Sequence, residues 1–301
     1  MELVLAFSWS EFAQQITSGL ATGAIYGSLA LALVLIYQST NVVNFAQGEM
    51  ATLSTFIAWS LMHNGFPYWP AFLLTLLIAF SGGVAVERVL IRPIERRPEI
   101  AVVILTIAML ITINALDGWI WGPEVKAFDS PFPNTTVEVG GVAISVQDIG
   151  TLGVCLGTVL ILWLFFRFTT LGLAMRAVAF NPAASRLMGV RVGWILALGW
   201  GFAAVLGAIA GMMAAPTVFL DPDMMLVVLI YAFAAAVLGG IDSPVGAVVG
   251  GLLLGVIVNL LGAYVGFVGS ELRLPTALAI LLAVLVIRPA GLFGRVHVRR
   301  V

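Results

Sequence analysis

The sequence predicts an all-α protein, a polytopic transmembrane bundle of about eight to ten helices. Of its 301 residues, 61% are hydrophobic and only 10% are charged, whereas about 25% of the residues of an ordinary soluble domain are charged. The hydrophobic residues are gathered in runs of roughly the 20 residues that a helix needs to cross a bilayer. The charged residues lie mostly between these runs. Together these observations indicate one integral membrane domain over residues 1–301.

Nine apolar runs are candidate membrane spans. The second and the seventh are the least regular, because each contains or adjoins a glycine-rich polar break. In chain order the candidate spans are 16–37, 42–62, 70–90, 100–121, 148–166, 193–215, 225–241, 244–266 and 274–287.

The basic residues predict the orientation of the spans, because Lys and Arg in short loops stay in the cytoplasm. Twelve of the fourteen fall within 88–97, 167–191 and 288–300, on alternate loops. The other two, Lys126 and Arg273, lie in segments with an acidic surplus. These three basic segments are therefore predicted to be cytoplasmic. With nine spans the N-terminus lies outside, and if residues 44–49 are re-entrant it lies inside.

Glycines spaced four residues apart recur along the chain, for example at Gly19, Gly23 and Gly27 and at Gly251 and Gly255. Small residues at this spacing let helix backbones approach closely in lipid. We therefore expect a compact bundle with direct contacts between helices.

The second span contains the strongest candidates for a translocation pathway or gate. Asn41, Asn44 and Gln47 are three residues apart and are expected on one helical face. Glu49 is the acidic residue predicted to lie deepest, and a charge there is costly unless it is solvated or paired. Gly48 permits a kink beside it. Either this cluster lies on the pathway, or it binds the backbone of a broken helix and holds the bundle together.

Asn114 and Asp117 share a face near the outer end of the fourth span and could line an external vestibule. Asp117 is close enough to the headgroups that simple solvation is the expectation for it. Weaker pore-lining candidates are Tyr26, Thr106, Thr112 and Asn259, for which a hydrogen bond between helices is expected first.

Residues 122–147 form the longest segment predicted to be external. Its sequence alternates on either side of Gly140-Gly141, as TVEV and VAIS, which predicts a small hairpin with a two-residue turn. The hairpin is either a docking or gating element or a structural cap over the helices.

Residues 168–193 form a polar segment between two long apolar runs. It carries Arg176, Arg186 and Arg191 and no acidic residue. Asn followed by Pro favours a helix start, so Asn181 should begin a short helix that runs to about Met188. Gly189 is then placed to end it. A short amphipathic helix at the membrane face is suited to contact with another protein.

Several functional classes are excluded. The net charge of −1 does not favour a nucleic-acid partner. The chain has one cysteine, Cys155, and two histidines, so no metal site, disulfide framework or cofactor is expected. Its only lysine, Lys126, is outside any phosphate-binding Gly-Lys-Ser/Thr loop. The chain is therefore expected to be neither an ATPase nor another enzyme.

The 168–193 segment resembles the coupling segment of ABC importer permeases of the branched-chain amino acid (Liv-type) family. One departure is the absence of the glutamate that opens the better-known coupling signature of other ABC permeases. The match rests on Arg176-Ala177, Asn181, Ala184 and Gly189-Val190, with further family-like stretches, in the same order along the chain, at Gly19–Tyr26, Asn44–Glu49, Leu238–Gly251 and Arg288–Gly294.

The resemblance implies a type II ABC importer permease-like fold in a bacterial-type cytoplasmic (inner) membrane. It implies coupling to an ATPase through Arg176, Ala177, Asn181, Ala184, Arg186 and Gly189. The implied partners are two cytoplasmic ABC ATPase subunits, a second related permease subunit forming a homo- or heterodimer, and an extracytoplasmic solute-binding protein. The implied substrates are branched-chain or other amino acids, or small amides such as urea.

Two other functional classes remain open from the residues alone. One is a proton-coupled secondary transporter that uses Glu49. The other is a passive channel for a small neutral solute.

Overall fold

A computed structural model describes residues 8–95, 97–266, 269 and 272–294. The described elements are helices and one hairpin, joined by loops, and α3 continues into a π-helix and a 3-10 turn (Glu87–Ile91 and Arg92–Ile94) that we call the α3 extension. The elements are α1 (Trp9–Thr40), α2 (Gln47–His63), α3 (Tyr68–Val86), α4 (Glu99–Trp121), β1 (Thr136–Val139), β2 (Val142–Ser145), α5 (Val146–Phe168), α6 (Thr170–Phe180), α7 (Pro182–Leu187), α8 (Val192–Val218), α9 (Met224–Gly239), α10 (Pro244–Tyr264) and α11 (Arg273–Ile287).

Each of the nine predicted spans coincides with a helix of this bundle. Six helices are long and apolar enough to cross a membrane by length and composition: α1, α3 with its extension, α4, α5, α8 and α10. The other three, α2, α9 and α11, have 17, 16 and 15 residues. The chain is therefore a multi-pass helical membrane protein, as its composition predicts.

Helices α1 and α8 form the centre of the bundle. In the most apolar stretch of each, 83% of the residues are buried inside the protein, whereas the corresponding share is 17% in α4 and in α5. The exposed sides of α4 and α5 are apolar, which is the expected character of a surface that faces lipid or another membrane subunit.

Helices α1 and α10 touch along their glycines, as the four-residue spacing predicts. A Cβ atom added to Gly19 would lie 2.8 Å from the Cα of Val256, and one added to Gly23 would lie 2.8 Å from the carbonyl oxygen of Gly251. At Gly27 the nearest atom would be the carbonyl oxygen of Val248, at 3.1 Å. No side chain separates the two backbones at these points.

The predicted hairpin forms. Its two strands are antiparallel, and the pairs run from Thr136 with Ser145 to Val139 with Val142. Gly140 and Gly141 both have positive φ, 62° and 81°, which is the backbone of the two-residue turn that matches strand twist. β2 packs on α1.

The two ends of α1 lie at opposite ends of the bundle. Its first half packs near β2, whereas Gln38 near its last turn donates a hydrogen bond to the carbonyl oxygen of Asp242 at 2.9 Å. That end also holds the C-terminal segment, because the amide of Leu292 donates to Leu238 at 2.8 Å. This path fits the nine-span alternative, in which α1 begins on the predicted external side.

Candidate functional site

The second span starts later than the sequence predicts. Asn41 is the C-cap of α1, with a left-handed φ of 55°, and its amide donates to Tyr37 at 2.7 Å. Residues 42–46 are not helical, and α2 begins at Gln47. The expectation that Asn41, Asn44 and Gln47 share one helical face is therefore wrong. Asn41 is exposed and separate from the other two, which are fully buried.

Asn44 and Gln47 fix the start of α2 inside the bundle. The Asn44 side chain accepts a hydrogen bond from the amide of Ala46 at 3.1 Å and donates to Gln47 Oε1 at 3.2 Å. Gln47 Nε2 donates to the carbonyl oxygen of Ala203 at 2.9 Å. Ala203 lies eleven residues beyond Val192 at the start of α8, which is about 17 Å along the helix axis. Helix α2 therefore begins part-way across the membrane.

Glu49 and Asp117 are brought together between α2 and α4. Glu49 is 2% exposed and its Oε2 has no hydrogen-bond partner, and Asp117 is 0% exposed with neither oxygen bonded. The two carboxyl groups interact electrostatically. The expectation that Asp117 is solvated at the headgroups is wrong, because the face of α4 that carries it packs on α2, where Phe56 stacks on Trp121 at 5.0 Å.

Asn114 completes this buried polar cluster, which we define as Asn44, Gln47, Glu49, Asn114 and Asp117. Its side chain is a hydrogen-bonding partner of Glu49. Its Nδ2 also donates to the carbonyl oxygen of Pro222 at 3.1 Å and to Asp223 Oδ1 at 2.9 Å. The cluster therefore ties the start of α2 to the α8–α9 loop.

Four of the five side chains of the buried polar cluster are buried between helices. Glu49 is not the most buried acid among the described residues, because Asp117 is 0% exposed and Glu87 in the α3 extension is 1% exposed. No group of three or more His, Cys, Asp or Glu side chains suited to a metal ion exists among the described residues.

Two cavities flank α1, with Thr22 and Tyr26 in the walls of both. One reaches Gln147 and Asp148 at the start of α5. The other is lined by Tyr231, Asn259 and Arg273. Tyr26 stacks on Tyr231 at 4.8 Å, and Asn259 makes the expected interhelical bond, to the Gln15 side chain at 2.8 Å.

Sequence reasoning selected Tyr26 as a weaker candidate and missed Asp148, Tyr231 and Arg273. Asp148 and Arg273 lie in the first turn of a helix, where a polar residue gives no signal, and Tyr231 lies in a continuous apolar run. The cavities, rather than the buried polar cluster, hold the open space beside α1.

The segment 168–193 folds as two helices, and its second helix begins where the sequence predicts. Asn181 Oδ1 accepts a hydrogen bond from the amide of Ala184 at 2.9 Å, and Pro182 is the first helical residue. The helix ends at Leu187 with Met188 as its C-cap, and Gly189 follows with a φ of 82°. Helix α6 before it is also capped, by Thr169, whose Oγ1 accepts from Gly172 at 2.9 Å.

The predicted coupling residues lie on the surface of this segment. Arg176, Ala177, Asn181, Ala184, Arg186 and Gly189 are all exposed. Beneath them, a buried cluster joins α6 to the start of α8 and holds the segment in place. This cluster contains Met175, Val178, Val192, Ile195 and Leu196.

Three large apolar side chains also project from the segment, and sequence reasoning did not select them. Phe180, Leu187 and Met188 are 86%, 90% and 84% exposed, and we call them the apolar tip. Helix α7 has only six residues, too few to show a helical period in the sequence. An exposed apolar group of this size, rimmed by arginines, is typical of a protein interaction site.

Known proteins resemble the chain over most of its length. It is 29% identical to the high-affinity branched-chain amino acid transport system permease protein LivH of Salmonella typhimurium over 305 residues, covering 96% of the chain and 98% of LivH. It is 31% identical to the corresponding protein BraD of Pseudomonas aeruginosa over 304 residues, with the same shares covered. A solved structure, PsaBC from Streptococcus pneumoniae in complex with Fab, aligns with 92% of each chain at a TM-score of 0.49 and 15% identity.

The family described as branched-chain amino acid transport system / permease component matches residues 15–288. This range extends from α1 to the end of α11 and includes the buried polar cluster, both cavities and the coupling segment. The chain therefore belongs to this family, and it is a membrane-spanning transport permease component.

Proposed function

We propose that the chain is the permease subunit of an ABC importer whose ATP hydrolysis takes place on separate cytoplasmic subunits. The observation that carries the proposal is the coupling segment. It is rigidly capped, anchored by buried residues, and exposes an apolar tip together with arginines. A pump without a nucleotide site of its own needs a surface of this kind to receive work from a partner.

The substrate we propose is a branched-chain amino acid. The support is that LivH and BraD, each matched over nearly their whole length, are named as branched-chain amino acid permeases. The walls of the cavity beside the start of α5 are mixed, with Ile25, Met213 and Val228 beside Thr22 and Asp148. Such walls suit a solute with an apolar side chain and a polar head. Other amino acids and small amides such as urea are the competing substrates.

We further propose that the buried polar cluster holds the start of α2 as a closed gate. Its groups bind one another and the backbone of α8 and of the α8–α9 loop. It lines neither cavity. A helix that begins inside the membrane, with polar residues at its first turn, is a recurrent way for transporters to place a moving part.

The partners we propose follow from the exposed surfaces. The apolar faces of α4 and α5 are available to a second permease subunit, and the apolar tip to one of two ATPase subunits. An extracytoplasmic solute-binding protein would meet the opposite end, where the hairpin lies.

The test is to purify the tagged chain from its native membrane and to identify what accompanies it. We expect two nucleotide-binding subunits and a second permease chain, and ATP-dependent uptake of leucine, isoleucine or valine when the complex is placed in proteoliposomes with its binding protein. Active uptake by the chain alone, without an ATPase, would contradict the proposal.

A proton-coupled transporter is the second candidate, because Glu49 and Asp117 are buried carboxyl groups without full hydrogen bonding. The two candidates differ in their energy source. ATP depletion with the proton gradient held should stop uptake by an ABC importer. Persistence of uptake in that condition, together with its loss in Glu49→Gln, would favour proton coupling. Uptake that only follows the solute gradient would favour a passive channel.

A further inference from the structure

The α3 extension is joined to the start of α8, directly after the coupling segment, by two side chains that are far apart in the sequence. Arg88 lies over the ring of Trp194, with its Cζ 3.7 Å from the ring centroid. Trp194 is the third residue of α8 and directly follows the coupling segment. A guanidinium over a tryptophan face at this distance is attracted by the ring quadrupole, by about 0.5–2 kcal/mol.

Among the described residues, no hydrogen bond is made by two of the three nitrogens of the Arg88 guanidinium. Its side chain is 25% exposed, its Nε lies 3.6 Å from Glu87 Oε2, and its Nε and Nη2 are buried with no hydrogen-bond partner. Glu87 itself is 1% exposed. A charge placed between a ring face and a carboxylate keeps its attraction when the ring slides, whereas a hydrogen bond is lost when its angle falls. The contact can therefore persist while the elements move.

Two neighbouring contacts reinforce this junction. The Arg92 guanidinium lies across Gly193, where an added Cβ would be 2.9 Å from Nη2. Arg186 Nη2 in α7 lies 3.9 Å from Glu95 Oε1, and both side chains are partly exposed, so this ion pair is weak. The α3 extension thus contacts the junction of the coupling segment with α8, and Glu95, which directly follows the extension, contacts α7.

The extension is also continuous with a helix that packs on the core. α3 lies against α8, and an added Cβ at Gly83 would be 2.8 Å from Ala204 Cβ. The extension contains a π-helix over Glu87–Ile91, a feature that occurs frequently at functional sites. A displacement of the coupling segment would therefore reach α3 as well as α8.

We propose that Arg88 and Trp194 are positioning residues that transmit movement of the coupling segment to α3. This inference rests on the proposed function, because it needs an ATPase that acts on the coupling segment. Its consequence is that the chain moves two helices, not one, per ATPase contact. Without the Arg88–Trp194 contact the ATPase would still dock and hydrolyse ATP, but less of that work would move solute.

The chain offers a matched control in Arg167. Its Cζ lies 5.7 Å from the centroid of Trp163, and both residues belong to α5. This contact between a guanidinium and a tryptophan ring therefore lies within one helix and does not join two elements.

The experiment uses the complete importer in proteoliposomes and measures solute uptake and ATP hydrolysis together. Arg88→Met and Trp194→Leu should each lower the solute moved per ATP hydrolysed by about three- to tenfold, with ATPase subunits still bound. The double variant should be no worse than either single variant, because both remove one contact. Trp194→Phe keeps an aromatic ring face, so most of the solute moved per ATP hydrolysed should be retained in this variant. Arg167→Met should leave it unchanged.

An unchanged ratio in Arg88→Met, or an equal loss in Arg167→Met, would overturn the inference while leaving the importer assignment intact. Failure of the importer assignment has a different signature, because no ATPase would copurify with the unsubstituted chain. If the Arg88→Met protein does not accumulate, the comparison of Trp194→Leu with Trp194→Phe tests the inference instead. A loss in Trp194→Leu that Trp194→Phe does not share supports the inference, and equal ratios in both reject it.

Discussion

Asn181 is the N-cap of α7 and positions the exposed surface of the coupling segment. Its side chain satisfies the amide of Ala184, its backbone carbonyl accepts from Ser185 at 2.9–3.0 Å, and Pro182 follows it at the first helical position. The apolar tip lies on both sides of this cap. The position of the tip therefore depends on one local hydrogen-bonding pattern.

Replacing Asn181 with Ala should loosen α7. Loss of an N-cap costs about 1 kcal/mol, so the amides of 183–188 should exchange with deuterium about fivefold faster in the variant. Hydrogen–deuterium exchange measured by mass spectrometry checks this. Asn181→Asp keeps an accepting oxygen and should exchange like the original chain, so equal acceleration in both variants would show that the cap does not hold the helix.

Asn181 was predictable from sequence, whereas the surroundings of Asp117 were not. The cap depends on residues within four positions of each other, and Asn before Pro has the same meaning in any fold. Asp117 is buried because α4 turns it toward Glu49, a partner 68 positions away in the sequence, whereas its neighbours are apolar in the manner of any outer helix end. Local patterns carry no information about such a pairing.

Close backbone contact is the property that defines the α1–α10 pair at the scale of the element. Gly23→Ala should lower stability by about 1–3 kcal/mol, because the added methyl meets the carbonyl oxygen of Gly251 at 2.8 Å. Gly157 in α5 has no atom within 4 Å of an added Cβ. Gly157→Ala should therefore be neutral or slightly stabilising. The melting temperature in detergent distinguishes them, and equal shifts would contradict the packing argument.

The coupling segment combines apolar and basic groups that should act differently on a partner. Phe180→Ala and Leu187→Ala should each weaken ATPase binding by about tenfold, since large apolar side chains in the centre of a contact dominate its energy. This loss should be independent of salt. Arg176→Glu with Arg186→Glu should uncouple ATP hydrolysis from transport at low ionic strength and recover in part at high salt, because exposed charges are screened.

Copurification and coupled ATPase assays at two salt concentrations measure both effects. If the arginine variant and the alanine variants respond to salt in the same way, the apolar tip and the arginines do not have the different roles proposed for them. Unchanged assembly and uptake in every variant would remove the coupling role from the segment.

At the scale of the whole molecule, the arrangement of the helices was largely predictable and the start of α2 was not. Apolar run length predicts the nine helices that overlap the candidate spans, and the placement of arginines predicts their alternation across the membrane. The start of α2 depends on Gln47 reaching a carbonyl of α8, more than 150 residues later. Sequence reasoning therefore began this span at residue 42 rather than at Gln47.

Sidedness can be measured with single cysteines and a membrane-impermeant maleimide in intact cells. Glu11→Cys and Glu138→Cys should be labelled from outside, because the start of α1 and the hairpin lie at the predicted external end. Ala183→Cys in α7 should be labelled only after permeabilisation. The native Cys155 is 0% exposed and should stay silent as an internal control. Labelling of Ala183→Cys in intact cells would place the coupling segment on the wrong side.

The contact between α1 and α10 also sets an order of events during synthesis. Gly23 and Gly251 are 228 positions apart (251 − 23 = 228), which is roughly 10–50 s of translation at about 5–20 residues per second. During that interval the glycine face of α1 is not covered by α10, because the ribosome has not yet synthesised α10. Helix α1 can pack on α5 and α8 earlier, but it completes its glycine contact with α10 only late in synthesis.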